Sequence, residues 1–334
     1  MRHVAPPYTD LGSYTSRTLR PGMLQTSPSL GFVTSSTTPA TLLRVRGREL
    51  PIVAGMPLLM GVVNASPESF SDGGLYARLD AQVARALDLV AAGAHLIDVG
   101  GESGVTDRGP LPAEDEADRV VPLVERLVGE GVVVSVDTWK PVVAEAVLAA
   151  GAHIINDVSA LRDRSLADLC AVAGAGLVVM HTRAEPKRKE FPVYDDVVGD
   201  VVGLLAELLQ AAQARGVAWE SLIVDPGPDF AKTPAETIAV LQRLDEVVAL
   251  GRPVLLAVSR KDFVGALTLR RPKERDAGTL AAIGAGVDAG AGILRVHDVA
   301  AVADYLTVRA ALRGERPVPA DLHLPVELRR EPPG

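Results

Sequence analysis

Eight short apolar runs, each ending on a polar side chain, constrain this chain more than any other feature. They are Leu58–Asn64, His95–Gly101, Val132–Asp137, His153–Asp157, Leu177–His181, Leu222–Asp225, Val254–Ser259 and Ile293–His297. Each is nearly continuously apolar, as a strand covered on both faces of a parallel sheet must be. Helical patterns lie between them, among them Leu79–Ala92, Pro112–Val128, Pro141–Ala150, Val197–Arg215, Pro234–Leu250 and Ala277–Ala289. Sustained strand–helix alternation predicts a parallel α/β architecture. The segment Ala-Ala-Gly-Ala-His occurs at Ala91–His95 and again at Ala149–His153, with looser copies at Gly174–Leu177 and Gly290–Leu294. A glycine that ends a helix just before a strand, repeated along the chain, favours a closed (β/α)₈ TIM barrel over an open sheet.

Length fits that reading. The chain has 334 residues, and eight βα units need roughly 250. We expect the barrel over 43–313, a disordered arm rich in Ser, Thr and Pro over 1–42, and an extended proline-rich tail over 314–334.

The strand ends carry the chemistry. In order they present Asn64, Asp98, Asp137, Asn156 with Asp157, His181, Asp225, Arg260 with Lys261, and Arg295 with His297. Active sites of such barrels sit on this rim. Asp and Asn also cap the helices that follow, but capping does not require all eight rims to be ionisable or amide-bearing. Asp98, Asp137, Asn156 and Asp225 supply acceptors. Lys261, Arg295 and His297 follow strands 7 and 8, where phosphate sites of these barrels are often built, and a closed barrel brings Asn64 beside them. The crowded carboxylates suit either a metal or the N–H-rich edge of a flat heterocycle. The intermixed Asn156 and Lys261 favour the heterocycle.

Composition removes several alternatives. The formal net charge is −8 with no long basic run, which argues against nucleic acid or an anionic membrane as partner. The longest uncharged apolar stretch, Pro51 to Pro67, is too short and too broken by glycine and proline to span a bilayer. Cys170 is the only cysteine; it excludes an intrachain disulfide and reads as a buried small hydrophobe. Arg far outnumbers Lys, a bias associated with bacterial GC-rich genomes, and a bacterial cytoplasmic location is expected.

The ordered motifs resemble those of the dihydropteroate synthase family. Met60-Gly-Val-Val-Asn-Ala-Ser-Pro-Glu-Ser-Phe-Ser-Asp-Gly-Gly74 is similar to the first family signature, and Asp98-Val-Gly-Gly-Glu-Ser103 to the start of the second. Ser135-Val-Asp-Thr138, Ile155-Asn-Asp-Val158, Val179-Met-His181, Asp225-Pro-Gly227, Ser259-Arg-Lys261 and Arg295-Val-His-Asp298 complete the set. The resemblance implies a transferase of folate biosynthesis, commonly a homodimer. It would join 6-hydroxymethyl-7,8-dihydropterin diphosphate to p-aminobenzoate and release diphosphate. It also implies that Asp98, Asp137, Asn156, Asp225 and Lys261 bind the pterin, and that Asn64, Arg295 and His297 serve the diphosphate. Lys261 joins those three as catalytic, with Mg²⁺ on Asn64. For the acceptor pocket it suggests Phe70, Thr106, Arg108 and Asp262.

Three segments depart from the family pattern. Gly104–Pro110 is longer than the usual loop, Asp229 stands where the family has glycine, and Asp262 stands where it has Ser or Arg. Asp262 about 4 Å from the acceptor carboxylate would repel it by roughly 1 kcal/mol in water and about 4 at intermediate dielectric. The alternative reading is a divergent paralogue, of the kind found in actinobacteria, that binds the pterin but uses another acceptor or has lost synthase activity.

Overall fold

The computed structural model describes residues 41–65, 75–102 and 109–329. Two strands come first: β1 (Thr41–Val45) and β2 (Arg48–Ile52) form an antiparallel hairpin. The barrel follows as β3 (Leu58–Asn64), α1 (Leu75–Ala91), β4 (Leu96–Gly100), α2 (Ala113–Gly129), β5 (Val134–Asp137), α3 (Pro141–Ala149), β6 (Ile154–Asp157) and α4 (Ser165–Ala173). It continues as β7 (Gly176–Met180), α5 (Val197–Ala214), β8 (Leu222–Asp225), α6 (Pro234–Gln242), α7 (Leu244–Val248), β9 (Leu255–Leu256), α8 (Asp262–Thr268), α9 (Asp276–Asp288), β10 (Ile293–Val296) and α10 (Val299–Leu312). The parallel strands run in the order β8-β7-β6-β5-β4-β3-β10-β9. A bridge between Val224 and Val254 joins β8 to the start of β9 and closes the ring. The eight-stranded (β/α)₈ barrel expected from the sequence is therefore present.

The apolar runs divide by parity. Side chains alternate across a strand, and here one set packs outward against the helices, including Leu59, Ile97, Val134, Ile155, Val179 and Leu294. The other set faces inward: Met60, Leu96, Val133, Ile154, Val178, Ile223, Leu255 and Ile293 form a second buried cluster. Two residues further along five of these eight strands the inward position turns polar, giving Asp98, Ser135, Asn156, Asp225 and Arg295. An apolar floor thus carries a polar layer directly above it.

The hairpin was not anticipated. Leu43, Val45 and Ile52 enter the inward cluster and stop the barrel's lower end. Val45 and Ile52 press against Gly176 and Gly292, where a Cβ would come within 2.6 and 3.1 Å of them. The other differences are local. The expected helix over 234–250 breaks at Arg243, whose φ of −117° and ψ of 31° separate α6 from α7. The seventh barrel strand, Leu255–Leu256, is shorter than Val254–Ser259, and Arg260 turns the chain beyond it at φ +60°.

The repeated glycine joints have a common geometry. In the first copy Ala94 N–H donates to Leu89 O and Gly93 N–H to Val90 O, and Gly93 has φ +109°. The second copy repeats this at Ala152, Gly151, Val147 and Leu148. These are paired Schellman bonds, which need a left-handed residue and so favour glycine. The histidine that follows is also used twice: His95 Nδ1 accepts from Leu59 N–H at 3.0 Å, and His153 Nδ1 accepts from Val134 N–H at 3.2 Å.

Among the described residues one helix, α5, is long and apolar enough to cross a membrane by composition. Its residues Val198, Val201, Leu205, Leu208 and Leu209 are instead buried in the helix–sheet core.

Candidate functional site

Asp98 anchors the polar layer. It is fully buried and accepts from Ser135 Oγ at 2.7 Å, Asn156 Nδ2 at 3.3 Å and Arg295 Nε at 2.7 Å. Arg295 Nη2 donates also to Asp137 at 3.2 Å. Four strands, β4, β5, β6 and β10, therefore contribute to one charge-assisted network. Burial raises the Asp137 carboxyl to about 7, Arg295 opposing the shift and Asp98 adding to it.

Asn156 is 2% exposed, and its Oδ1 has no hydrogen-bond partner among the described residues. Reversing the amide would set its oxygen against the Asp98 carboxylate, so the orientation with Nδ2 toward Asp98 is the favourable one. A buried acceptor left unmade costs about 1–3 kcal/mol. It is relieved when a ligand N–H arrives.

Asp225 stands on the other side, 4% exposed, with Oδ1 accepting from Gly227 N–H at 2.7 Å. Burial raises its pKa; the Gly227 hydrogen bond and Lys261 oppose this. Lys261 places Nζ 4.2 Å from the centre of the Phe230 ring, a cation–π contact, and burial lowers its pKa. Ser259 Oγ lies 2.9 Å from His297 Nδ1. Burial, with Arg295 next in size, takes His297 down to about 4, so the imidazole is neutral at neutral pH.

A cavity of about 410 Å³ adjoins this network; Asp137, Phe230 and Lys261 line it, together with Trp139, Lys187 and Asp262. Its volume is in the range of small-molecule sites, and its wall carries the Asp137 carboxylate and the Lys261 ammonium.

The structure brings together Asp98, Asp137, Asn156 and Arg295, and sets Asp225, Lys261 and His297 around the same mouth. Asn64 ends β3 with its side chain exposed, and a Cβ on Gly100 would lie 3.7 Å from its Oδ1. Phe70, Thr106 and Arg108 lie outside the described residues. Asp157 follows the opposite parity. Its carboxylate takes Ser159 N–H, Ser159 Oγ and Leu161 N–H, so it shapes a turn rather than the site.

Asp262 opens α8 at the mouth, and its carboxylate is paired. Arg275 meets one oxygen at 3.1 Å and Lys189 the other at 3.6 Å, and the Arg275 bond holds its pKa down. Asp229 caps the same helix, its Oδ2 accepting from Asp262 N–H at 2.5 Å and Phe263 N–H at 3.2 Å.

Sequence reasoning passed over several participants. Ser135 lay inside a quoted motif, and alternation two residues below Asp137 would have found it; Phe230 lies three residues past Asp225-Pro-Gly227. Lys140 and Lys187 clamp Glu102 at 3.0 and 3.2 Å, contacts between distant loops that no local pattern announces. Lys232, 1% exposed, was also missed.

The profile of the pterin binding enzyme family matches residues 60–297. Dihydropteroate synthase of Bacillus subtilis (strain 168) is 42% identical over 248 residues, covering 74% of this chain and 85% of that protein. The chain belongs to the dihydropteroate synthase family of pterin-binding enzymes. Solved members agree with the barrel described above. Dihydropteroate synthase of Xanthomonas albilineans with 4-aminobenzoic acid has a TM-score of 0.77 at 42% identity, covering 84% of this chain and 100% of that one. The same enzyme in complex with 7,8-dihydropteroate has a TM-score of 0.73 at 42% identity, covering 83% and 100%. Family membership makes the chain a transferase.

Proposed function

We propose that the protein condenses 6-hydroxymethyl-7,8-dihydropterin diphosphate with p-aminobenzoate, giving 7,8-dihydropteroate and diphosphate. The observation that carries this reading is the unpartnered Asn156 Oδ1 set among Asp98, Asp137 and Asp225. Ionised carboxylates and an amide oxygen only accept, and the pterin edge offers ring and exocyclic N–H donors that would favour the ionised form of Asp137. Phe230 and Lys261 supply a flat apolar face and a cation for the ring.

In the reaction the bond from the methylene carbon to the diphosphate oxygen breaks, and a bond from that carbon to the arylamine nitrogen forms. The amine is neutral at pH 7 and gives up a proton to water as it bonds. The departing oxygen gathers negative charge, which Arg295 and the cations beside it stabilise in advance. His297 is neutral, held by Ser259, and donates a hydrogen bond rather than a charge.

Mg²⁺ fits this donor set. The ion keeps several waters and binds through one or two protein oxygens plus substrate phosphates, and the exposed Asn64 amide would hold it at the rim. Among the described residues no three His, Cys, Asp or Glu side chains converge as a cage, and substrate phosphates make one unnecessary. When bound, the ion would neutralise the leaving diphosphate. We also propose a cytoplasmic homodimer, as the family resemblance implies.

One observation favours a second reading. Asp229 takes the first N–H groups of α8, and Asp262 stands beside it at the mouth, so this corner suits an arylamine without a carboxylate. Diphosphate release from the pterin substrate, measured with p-aminobenzoate, with aniline and with neither, tests both. Release that depends on p-aminobenzoate is expected. Release with aniline alone would transfer support to the second reading, and no release with either acceptor would overturn both.

A further inference from the structure

The chemistry above makes no use of the most deeply buried ammonium in the barrel. Lys232 is 1% exposed; burial lowers its pKa to about 7, and an amine so deeply buried is costly unless its donors are met. Here they are. Nζ lies 2.7 Å from His181 Nδ1, 3.0 Å from Gly227 O, 3.1 Å from Phe230 O and 3.5 Å from His181 O.

His181 is tuned to receive it. The ring is fully buried, and its Nε2 lies 2.8 Å from Asp200 Oδ2. Asp200 is gripped in turn by Arg183 through both oxygens, at 2.9 and 2.6 Å. Burial, followed by the charge of Lys232, takes His181 down to about 4. A neutral ring that donates from Nε2 to Asp200 must present Nδ1 as an acceptor, which is what Lys232 needs.

The two chief carbonyls held by Lys232 belong to the turn after β8, and that turn carries binding groups on its other side. Gly227 N–H fixes Asp225, and the Phe230 ring supports Lys261. The turn is pressed onto β7, since a Cβ on Gly227 (φ +64°) would come 2.1 Å from His181 O. Without a buried donor at Nζ, Phe230 O would lose its partner and Gly227 O would keep only the Phe230 N–H of its own turn, so the turn would reseat itself.

We propose that Lys232 is a positioning residue for the pterin. By holding the Gly227 and Phe230 carbonyls it fixes Asp225, Phe230 and Lys261 against the ring. The proposal rests on the pterin-binding reading, and touches neither Asn64 nor His297.

Calorimetry of the full chain with 6-hydroxymethyl-7,8-dihydropterin, and separately with inorganic diphosphate and Mg²⁺, tests it in Lys232→Met and Lys232→Arg. In folded Lys232→Met the dihydropterin Kd should rise at least about tenfold, with the diphosphate Kd within about twofold. Lys232→Arg, which keeps donors, should fall between Lys232→Met and wild type. A merely structural lysine would spare both ligands or weaken both alike, and either result overturns the proposal. If Lys232→Met does not fold, Asp200→Asn is read the same way; it loosens His181 and should weaken dihydropterin alone by several-fold, and an equal or absent effect overturns the proposal. Wild-type protein that fails to bind dihydropterin overturns the pterin reading itself and this proposal with it.

Discussion

Asp98 and Arg295 are separated by 197 positions in the chain, yet the guanidinium Nε lies 2.7 Å from the carboxylate. Asp98 is fully buried and Arg295 about one-fifth exposed. Removing one partner of such a pair strands the other, at a cost of about 3–5 kcal/mol. Arg295→Met should therefore lose about 3 kcal/mol of stability in urea denaturation and nearly all diphosphate release. A variant as stable as wild type would mean that Asp98 is sustained by Ser135 and Asn156 alone.

Asn156→Leu separates binding from stability. It removes the orphaned oxygen together with the Nδ2 bond to Asp98, and these losses oppose each other in the free protein. Stability should change by less than about 1 kcal/mol, whereas dihydropterin affinity should fall about ten- to a hundredfold, the worth of a hydrogen bond to a buried amide. Calorimetry beside chemical denaturation gives both numbers.

Asp262 carries a weaker prediction than its sequence position suggests. Arg275 and Lys189 already answer its charge, and the side chain is largely exposed. Exposed pairs are worth at most about 1 kcal/mol, so Asp262→Ser should shift the KM for p-aminobenzoate by no more than about fivefold. Steady-state kinetics at low salt checks this, because screening would mask a larger effect. A KM that falls a hundredfold would show that the carboxylate acts on the acceptor despite its partners.

His153 gives a pH dependence with a definite sign. Its pKa is lowered from 6.5 to about 4, by burial first and then by Arg48 and Arg46, while Nδ1 accepts from Val134 N–H. Between those values the unfolded chain binds the extra proton. The stability this histidine contributes is whole above pH 6.5 and is lost as pH falls toward 4, at about 1.4 kcal/mol per pH unit. The stability gap between wild type and His153→Asn should close over that window in denaturation curves taken at several pH values. A constant gap would mean that the ring titrates normally.

The architecture was legible because its signals are local. Strand runs such as Leu58–Asn64 and Leu222–Asp225 end where the chain places them, since the apolar period and the polar stop both lie within a few residues. The glycine joints announced themselves by repetition. Candidates for the rim were legible as strand ends, but parity was needed to separate Asn156, which faces the barrel, from Asp157, which caps a turn. Pairings remained invisible. Neither the reach of Arg275 to Asp262 nor that of Lys232 to His181 leaves a pattern in the sequence, because each depends on how two loops from different strands meet.

Leu43→Ala tests the lower end independently of the chemistry. The side chain is fully buried, and truncation of a buried leucine costs about 2–5 kcal/mol. The kcat and KM of the folded variant should stay within about twofold, because the apolar floor lies between the hairpin and the polar layer. Altered kinetics in a fully folded variant would show that the two ends of the barrel are coupled.

That hairpin is translated before the barrel strands and employed last. Ile52 rests on Gly292 and Val45 on Gly176, so the ring that β1 and β2 seal does not exist until β10 has been made. Contacts so distant in sequence slow the final step of folding, and until then Leu43, Val45 and Ile52 stay wet and adhesive. A nascent chain stalled before residue 293 would carry its own stopper with no bottle to fit.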